Sequence, residues 1–401
     1  MKGFVMKKKA LAAIVIAMGL LTGCGQGEEA PSSPVQLDPQ PIATEAPAAT
    51  ETPAATEEPA AVGSDVSVIT ERVVKDGKMQ SYLTGEWKDE AVVKRRNFAV
   101  MIPNNKQALP QTGLSYASII YEAPVEGRIT RLMALFEDYD DLDHVGPVRS
   151  SRDYYIYEAM AYDSIYCNWG LARPWVEELI NSDRIDNISQ AVAGIYNPAN
   201  NAFDRISRSG YATEFTGYMF IDGYTKDVGL KGYETEYRDT FEQAFTFADD
   251  GNRATYDDCP DATKVYPGGT QSNSGGYGSH NPVFEYNSAD GLYYRSQYGQ
   301  AQIDDINGEQ LTVSNVVFKV CHGEERLPDD PKYDYLAFGV HGTGDAYVFT
   351  NGKVIKGTWE RKSDTAANMF YDENGNEIIF NQGKTWICCI WDDYAEYMEW
   401  K

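Results

Sequence analysis

The chain has 401 residues, with 60 acidic side chains against 35 basic ones and a formal charge of −25 at pH 7. That balance excludes a nucleic-acid surface, which needs a basic face, and argues against the folded body lying on an anionic membrane. The length allows two domains with cores of their own.

Residues 1–23 read as a secretory leader. Lys7, Lys8 and Lys9 precede an apolar run from Ala10 to Leu21, too short to cross a bilayer as a helix. Leu21-Thr22-Gly23-Cys24 resembles the bacterial lipobox. That resemblance implies that Cys24 takes a diacylglyceryl group with palmitate-type chains and becomes the mature N-terminus. The expected location is the extracytoplasmic face of the cell membrane, with the lipid bilayer as a partner. Residues 24–66 follow as a linker. Between Gly25 and Asp65 lie eight acids, no lysine or arginine, and seven of the chain's 18 prolines. The hexad beginning Thr44-Glu45-Ala46-Pro47 recurs at Thr50 and Thr56. Such a segment has too little apolar mass to offset chain entropy, so it reads as a disordered stalk.

The remainder divides by pattern into residues 67–232, a mixed α/β domain, and 233–401, a mainly antiparallel β domain; the class is α+β. In the first, Asn97–Ile102, Ile119–Val125 and Ile129–Phe136 are buried-strand runs. Ser150–Tyr162 has helical spacing, Ser164–Cys167 is a short strand, and Arg173–Asn181 is a second helix. In the second, strand runs recur at Thr240–Ala248, Ala262–Tyr266, Val283–Tyr286, Leu292–Ser296, Leu311–Val320 and Tyr335–Val340. Asn307-Gly308, Asn351-Gly352 and Asn374-Gly375 are hairpin signals. The tail from Tyr347 to Ile390 reads as a hairpin series, and the glycine-rich stretch Gly268–Gly278 as a mobile loop. The five cysteines beyond Cys24 read mostly as buried free thiols without a disulfide framework; Cys388 and Cys389 would face opposite sides of a strand, and Cys259 with Cys321 is one conceivable disulfide.

Chemistry concentrates in the first domain. Glu126, Thr130 and Arg131 are followed by Gly146-Pro147-Val148-Arg149-Ser150-Ser151-Arg152, which runs into the first helix. Ser150 or Ser151 would be its N-cap, and the free N–H groups there, with Arg131, Arg149 and Arg152, would hold an anion. Arginines in so acidic a chain invite a carboxylate, phosphate or sulfate. Alternatively they pair internally with Glu122, Glu126 and Asp153, and spacing alone tips slightly toward that reading. Trp359 and Trp386 with Tyr347 could form a sugar platform but more often fill a core. Four histidines in no ligand spacing and an acidic run, Asp138–Asp143, without the glycine and glutamate of a calcium loop predict no metal or cofactor.

These residues carry a resemblance. Pro110-Gln111-Thr112-Gly113, Tyr121-Glu122, Glu126-Gly127, Thr130-Arg131 and Gly146–Arg152 resemble the N-terminal domain of the YerB-like bacterial lipoprotein family. Gly308-Glu309-Gln310-Leu311, Asn351-Gly352-Lys353, Gly357-Thr358-Trp359 and Gly383-Lys384-Thr385-Trp386-Ile387 resemble its partner domain. The resemblance implies a two-domain, surface-anchored protein of unassigned activity. Against the family's pattern, Pro103-Asn104-Asn105 stands where an aspartate-asparagine pair is usual, Gln302 where a histidine precedes Asp304, and Trp169-Gly170-Leu171 where Gly-Gly-Ser is usual. Two functions follow. One is a binding module for an anionic wall polymer, peptide or envelope protein. The other is an extracytoplasmic hydrolase or transferase with Glu126 or Glu122 as base and the arginines holding substrate. The lack of a recognised nucleophile–base pair favours the first.

Overall fold

The computed structural model describes residues 66–326 and 335–401. The leader, Cys24 and the proline-rich stalk lie outside the described residues. The strands that position the sites are β1 (Phe98–Pro103), β2 (Ile119–Val125), β3 (Ile129–Phe136), β4 (Ile165–Asn168), β5 (Asn187–Ser189), β6 (Lys264–Tyr266), β7 (Val283–Asn287), β8 (Leu292–Gln297), β9 (Gln300–Ala301), β10 (Thr312–Val313), β11 (Asn315–Cys321), β12 (Gly342–Thr350), β13 (Lys353–Arg361), β14 (Met369–Asp372), β15 (Thr385–Trp391) and β16 (Glu399–Trp400). Two helices matter, α1 (Asp153–Met160) and α2 (Ile221–Lys231).

One sheet of ten strands dominates, in the order β14-β13-β12-β11-β15-β2-β3-β1-β4-β5. The first half of the sequence supplies five of them and the second half the other five. The junction is β15, which pairs parallel with β11 on one side and parallel with β2 on the other. All seven of its residues are buried, as a parallel strand covered on both faces requires. The tail is therefore a hairpin series only as far as β14; its last strand is the parallel centre of the sheet. The molecule is mostly β with few helices, so the α+β reading holds only in part.

Strand alternation sorts side chains onto two faces. Ala99, Met101, Met133, Leu135, Ile387 and Cys389 pack under α1, whose Tyr155, Ile156 and Ala159 cover them. Phe98, Val100, Leu132, Ala134, Trp386 and Cys388 face the other way, toward α2 and a second sheet. That sheet runs β9-β8-β7-β6-β16, with β10 also on β8. Cys388 and Cys389 thus point to opposite faces, and all five cysteines are free, including Cys259 and Cys321.

Under α1, Glu158 receives Lys319 Nζ at 2.6 Å and Asn368 Nδ2 at 2.7 Å, with Arg361 beside it. This buried group ties the helix of the first half to strands of the second. α2 was not legible in the sequence because Gly223 and Gly229 blur its pattern. A Cβ at Gly223 would sit 2.2 Å from the Asn201 carbonyl, so the helix packs there only as glycine. The stretch Gly268–Gly278 also contains glycines at close approaches. Tyr277 is buried and donates to the carbonyls of Glu122 and Cys389, while a Cβ at Gly278 would meet Asn273 O at 2.4 Å.

Candidate functional site

Glu122 and Arg131 stand on paired strands, β2 and β3, yet they enter opposite faces. Glu122 shares the face of Ile120, under the second sheet; Arg131 shares that of Met133, beside α1. Each is the centre of a charge cluster.

The Glu122 carboxylate has no solvent exposure and is saturated with donors. Its Oε1 accepts from Thr130 Oγ1 (2.7 Å), His280 Nε2 (2.8 Å) and Asn104 Nδ2 (3.0 Å). Its Oε2 accepts from Arg295 Nη2 (2.8 Å) and Trp386 Nε1 (3.0 Å). Burial alone would raise the carboxyl, but the Arg295 charge and the His280 hydrogen bond outweigh it and hold the group at about 2. Burial lowers His280 despite its bond to Glu122, so the imidazole is neutral and its Nε2–H donates to the carboxylate. Arg295 lies 4.3 Å over the Trp386 ring and also donates to Gln302, which donates to Gln111 Oε1 at 3.0 Å. Asn104 and Gln302, two of the three departures from the family's pattern, therefore meet in one network. Asp304 closes its edge, accepting from the backbone N–H groups of Gly113 (2.9 Å), Ser115 (2.6 Å) and Ile306 (2.9 Å). As a general base Glu122 is both sealed from water and weak.

The arginine cluster is built differently. α1 does not begin at Ser150 or Ser151: that segment is extended, held by Arg149 N–H to Met101 O and Ser151 N–H to Gly170 O, and Arg152 is the N-cap residue. Arg152 grips Glu126 through both Nε and Nη2, with Nε at 2.8 Å from Oε1. Glu126 is pulled below its ordinary value because Arg152 outweighs the burial that would raise it, which suits an ion pair better than a base. Arg149 reaches Glu214 at 3.1 Å on the surface, and its Nε is buried without a partner. Arg131 makes no ion pair within 4 Å among the described residues, though the Glu126 charge acts on it. Its hydrogen bond among them runs from Nη1 to the Ser150 carbonyl at 2.7 Å, and it is 6% exposed. Burial first, then the charges of Arg152 and Arg149, lower the guanidinium to about 9. Glu126, Arg131, Arg149, Ser150 and Arg152 therefore assemble on the α1 face. Thr130 does not join them; alternation sends its hydroxyl to Glu122. Trp386 and Trp359 are buried core residues, not a sugar platform.

A body in which two successive halves of one sequence complete a single sheet, pinned by buried ion clusters on both faces, is a two-module β protein with a shared core. Residues 83–230 match the model described as "Protein of unknown function (DUF3048) N-terminal domain", and residues 274–387 match the DUF3048 C-terminal domain. The chain belongs to this YerB-like family. It is 26% identical over 324 residues to the protein named "Putative lipoprotein YerB" of Bacillus subtilis (strain 168), covering 79% of this chain and 87% of that one. The crystal structure of the Bacillus subtilis YerB protein shares the fold, with a TM-score of 0.64 at 24% identity over 80% of this chain and 98% of that one.

Proposed function

We propose that this protein is a lipid-anchored module of the cell envelope whose folded body binds an anionic ligand at Arg131, Arg149 and Arg152. The leader with Cys24 and the similarity to a protein named as a lipoprotein support the anchor. The ligand reading rests on one observation: in a chain of charge −25, Arg131 is a nearly buried cation with no ion pair within 4 Å among the described residues, set beside Arg149 and Arg152, and the one carboxylate acting on it, Glu126, is already held by Arg152. A guanidinium kept so is costly unless something outside the fold neutralises it. Its planar fork fits a carboxylate or phosphate, such as those along an acidic wall polymer. Ser150, whose carbonyl orients Arg131, and Glu126, which fixes Arg152, would set the geometry.

Thermal unfolding of the mature chain tests this. Phosphate should raise the midpoint relative to chloride at equal ionic strength, reflecting a stabilisation of about 2.7 kcal/mol at a hundredfold excess over Kd. Arg131→Met should fold at least as stably and lose that response. Equal phosphate stabilisation of both proteins would sink the proposal.

A further inference from the structure

On the face of the large sheet away from the arginines, where the two halves of the sequence meet, lies a cavity of about 180 Å3. Its floor is apolar. Ile120 stands opposite Trp386 across the β2–β15 pair, with Leu311 and Val313 beside them, all buried. The Trp386 N–H is already given to Glu122, so these side chains offer the cavity no polar atom. Two of the stretches that resemble the family, residues 308–311 and 383–387, contribute to the lining. With them comes the turn Leu114–Tyr116, which directly follows a third such stretch.

The rim carries both signs of charge. Gly383, at φ 118°, lets the chain pass so close to Ser314 that a Cβ there would sit 2.1 Å from its Oγ. The next residue, Lys384, is clamped by its carbonyl, which accepts from the N–H groups of Ser314 (2.9 Å) and Asn315 (3.1 Å). Its half-buried ammonium has three donors and gives one to the Ser115 carbonyl; it makes no ion pair among the described residues. Burial lowers the amine, and the charges of Glu86, Asp304 and Glu309 act the other way. Glu309, exposed on the same rim, makes no ion pair among those residues either. Its Oε2 accepts from Asn307 Nδ2 at 3.3 Å, and Asn307 also reaches Ser115 Oγ at 3.3 Å. Asp304 locks this turn to the Ser115 turn and spends its carboxylate doing so.

We infer that this cavity binds a small apolar α-amino acid, its carboxylate on Lys384, its ammonium on Glu309 and its side chain on the Trp386 floor. Each charge of the rim then gains an opposite charge as it loses water. A bare carboxylate or phosphate would sit in the fields of Glu86, Asp304 and Glu309, and a bare amine in that of Lys384. A neutral sugar would leave both charges unpaired. The space is that of about six waters, which an amino acid the size of alanine or valine would fill. A seam between two modules, apolar below and sparsely polar above, is where small ligands are commonly held.

The probes are alanine and valine, each as both enantiomers, titrated by calorimetry into the full mature chain. Saturable binding of at least one, at or below ~1 mM, is expected. The analogue without its amine (propionate or isovalerate) and the one without its carboxylate (ethylamine or isobutylamine) should each bind about tenfold more weakly. Glu309→Gln, at an exposed position, should leave the thermal midpoint unchanged. It should weaken the amino acid about tenfold and spare the analogue that has no amine. Lys384→Met should do the converse, weakening the amino acid and sparing the analogue that has no carboxylate. If Lys384→Met shifts the thermal midpoint, Glu309→Gln decides. Phosphate, the probe for the arginines, should not compete. No saturable binding, undiminished binding of the amine-free analogue, indifference to Glu309→Gln, or displacement by phosphate would overturn the assignment.

Discussion

Glu122 and Arg131 sit on neighbouring strands, and the protein treats their charges in opposite ways. Glu122 is surrounded by five donors from five separate segments and two of the three residues that depart from the family's pattern. Arg131 is given a single carbonyl, two like charges and the field of a Glu126 already bound by Arg152. The first arrangement leaves no capacity for a ligand; its charge is fully spent on holding two sheets together. The second leaves capacity and little structural gain. Burial of an ionisable group is thus no guide to its role here, whereas the count of its partners is.

The sharpest way to break this contrast is Glu122→Gln. It strips the carboxylate from Arg295 while keeping the shape, leaving a buried guanidinium without a counter-ion. Denaturant unfolding should show a loss of about 3–5 kcal/mol. A loss under about 1 kcal/mol would mean that the cluster is not what joins the sheets.

Acid should unmask the same group next. Its descent from 4.5 to about 2 ties ~3 kcal/mol of stability to its ionisation. Because the folded value is the lower one, that stability is complete above about pH 4.5 and disappears as the pH falls toward 2. His280, lowered by burial, adds a further loss that begins as the pH drops through 6.5, since only the unfolded chain protonates it freely. Wild type should therefore lose stability steadily below pH 6.5 and more steeply below 4.5. Glu122→Gln should lack the steeper part; a parallel curve would place that slope elsewhere.

The smallest effect belongs to Arg149→Ala. Its partner Glu214 is half exposed, and pairs of this kind contribute little in water. A change within about 0.5 kcal/mol, with weakened phosphate stabilisation, is expected in the same unfolding assay. A loss of several kcal/mol would make Arg149 a structural residue and narrow the anion site to Arg131.

Much of this was written in local pattern. The largely apolar runs Ile119–Val125, broken by Glu122, and Ile129–Phe136, broken by Thr130 and Arg131, gave β2 and β3 to the residue. The arginine neighbourhood was visible because its residues crowd two short segments. Thr130 was misplaced although the rule that separates it from Arg131, the two-residue period of a strand, was available. The start of α1 slipped because Ser150 and Ser151 look like caps, while tertiary pairing to Met101 and Gly170 keeps them extended. The Glu122 cluster left no local trace. Arg295 and His280 lie 173 and 158 positions from their carboxylate, and no motif spacing joins them.

The position of β15 sets an order of events. Thr385 pairs with Ile119, a separation of 266 positions, and both flanks of the central strand are parallel. Until that strand arrives, β2 and β11 each present an open edge, and the two halves have no common sheet. In N-to-C order the keystone therefore arrives after both of the strands it joins, β2 and β11. Pairings of such long range close slowly. The large sheet is therefore completed only when β15 has been made, however early β2 and β11 are in place.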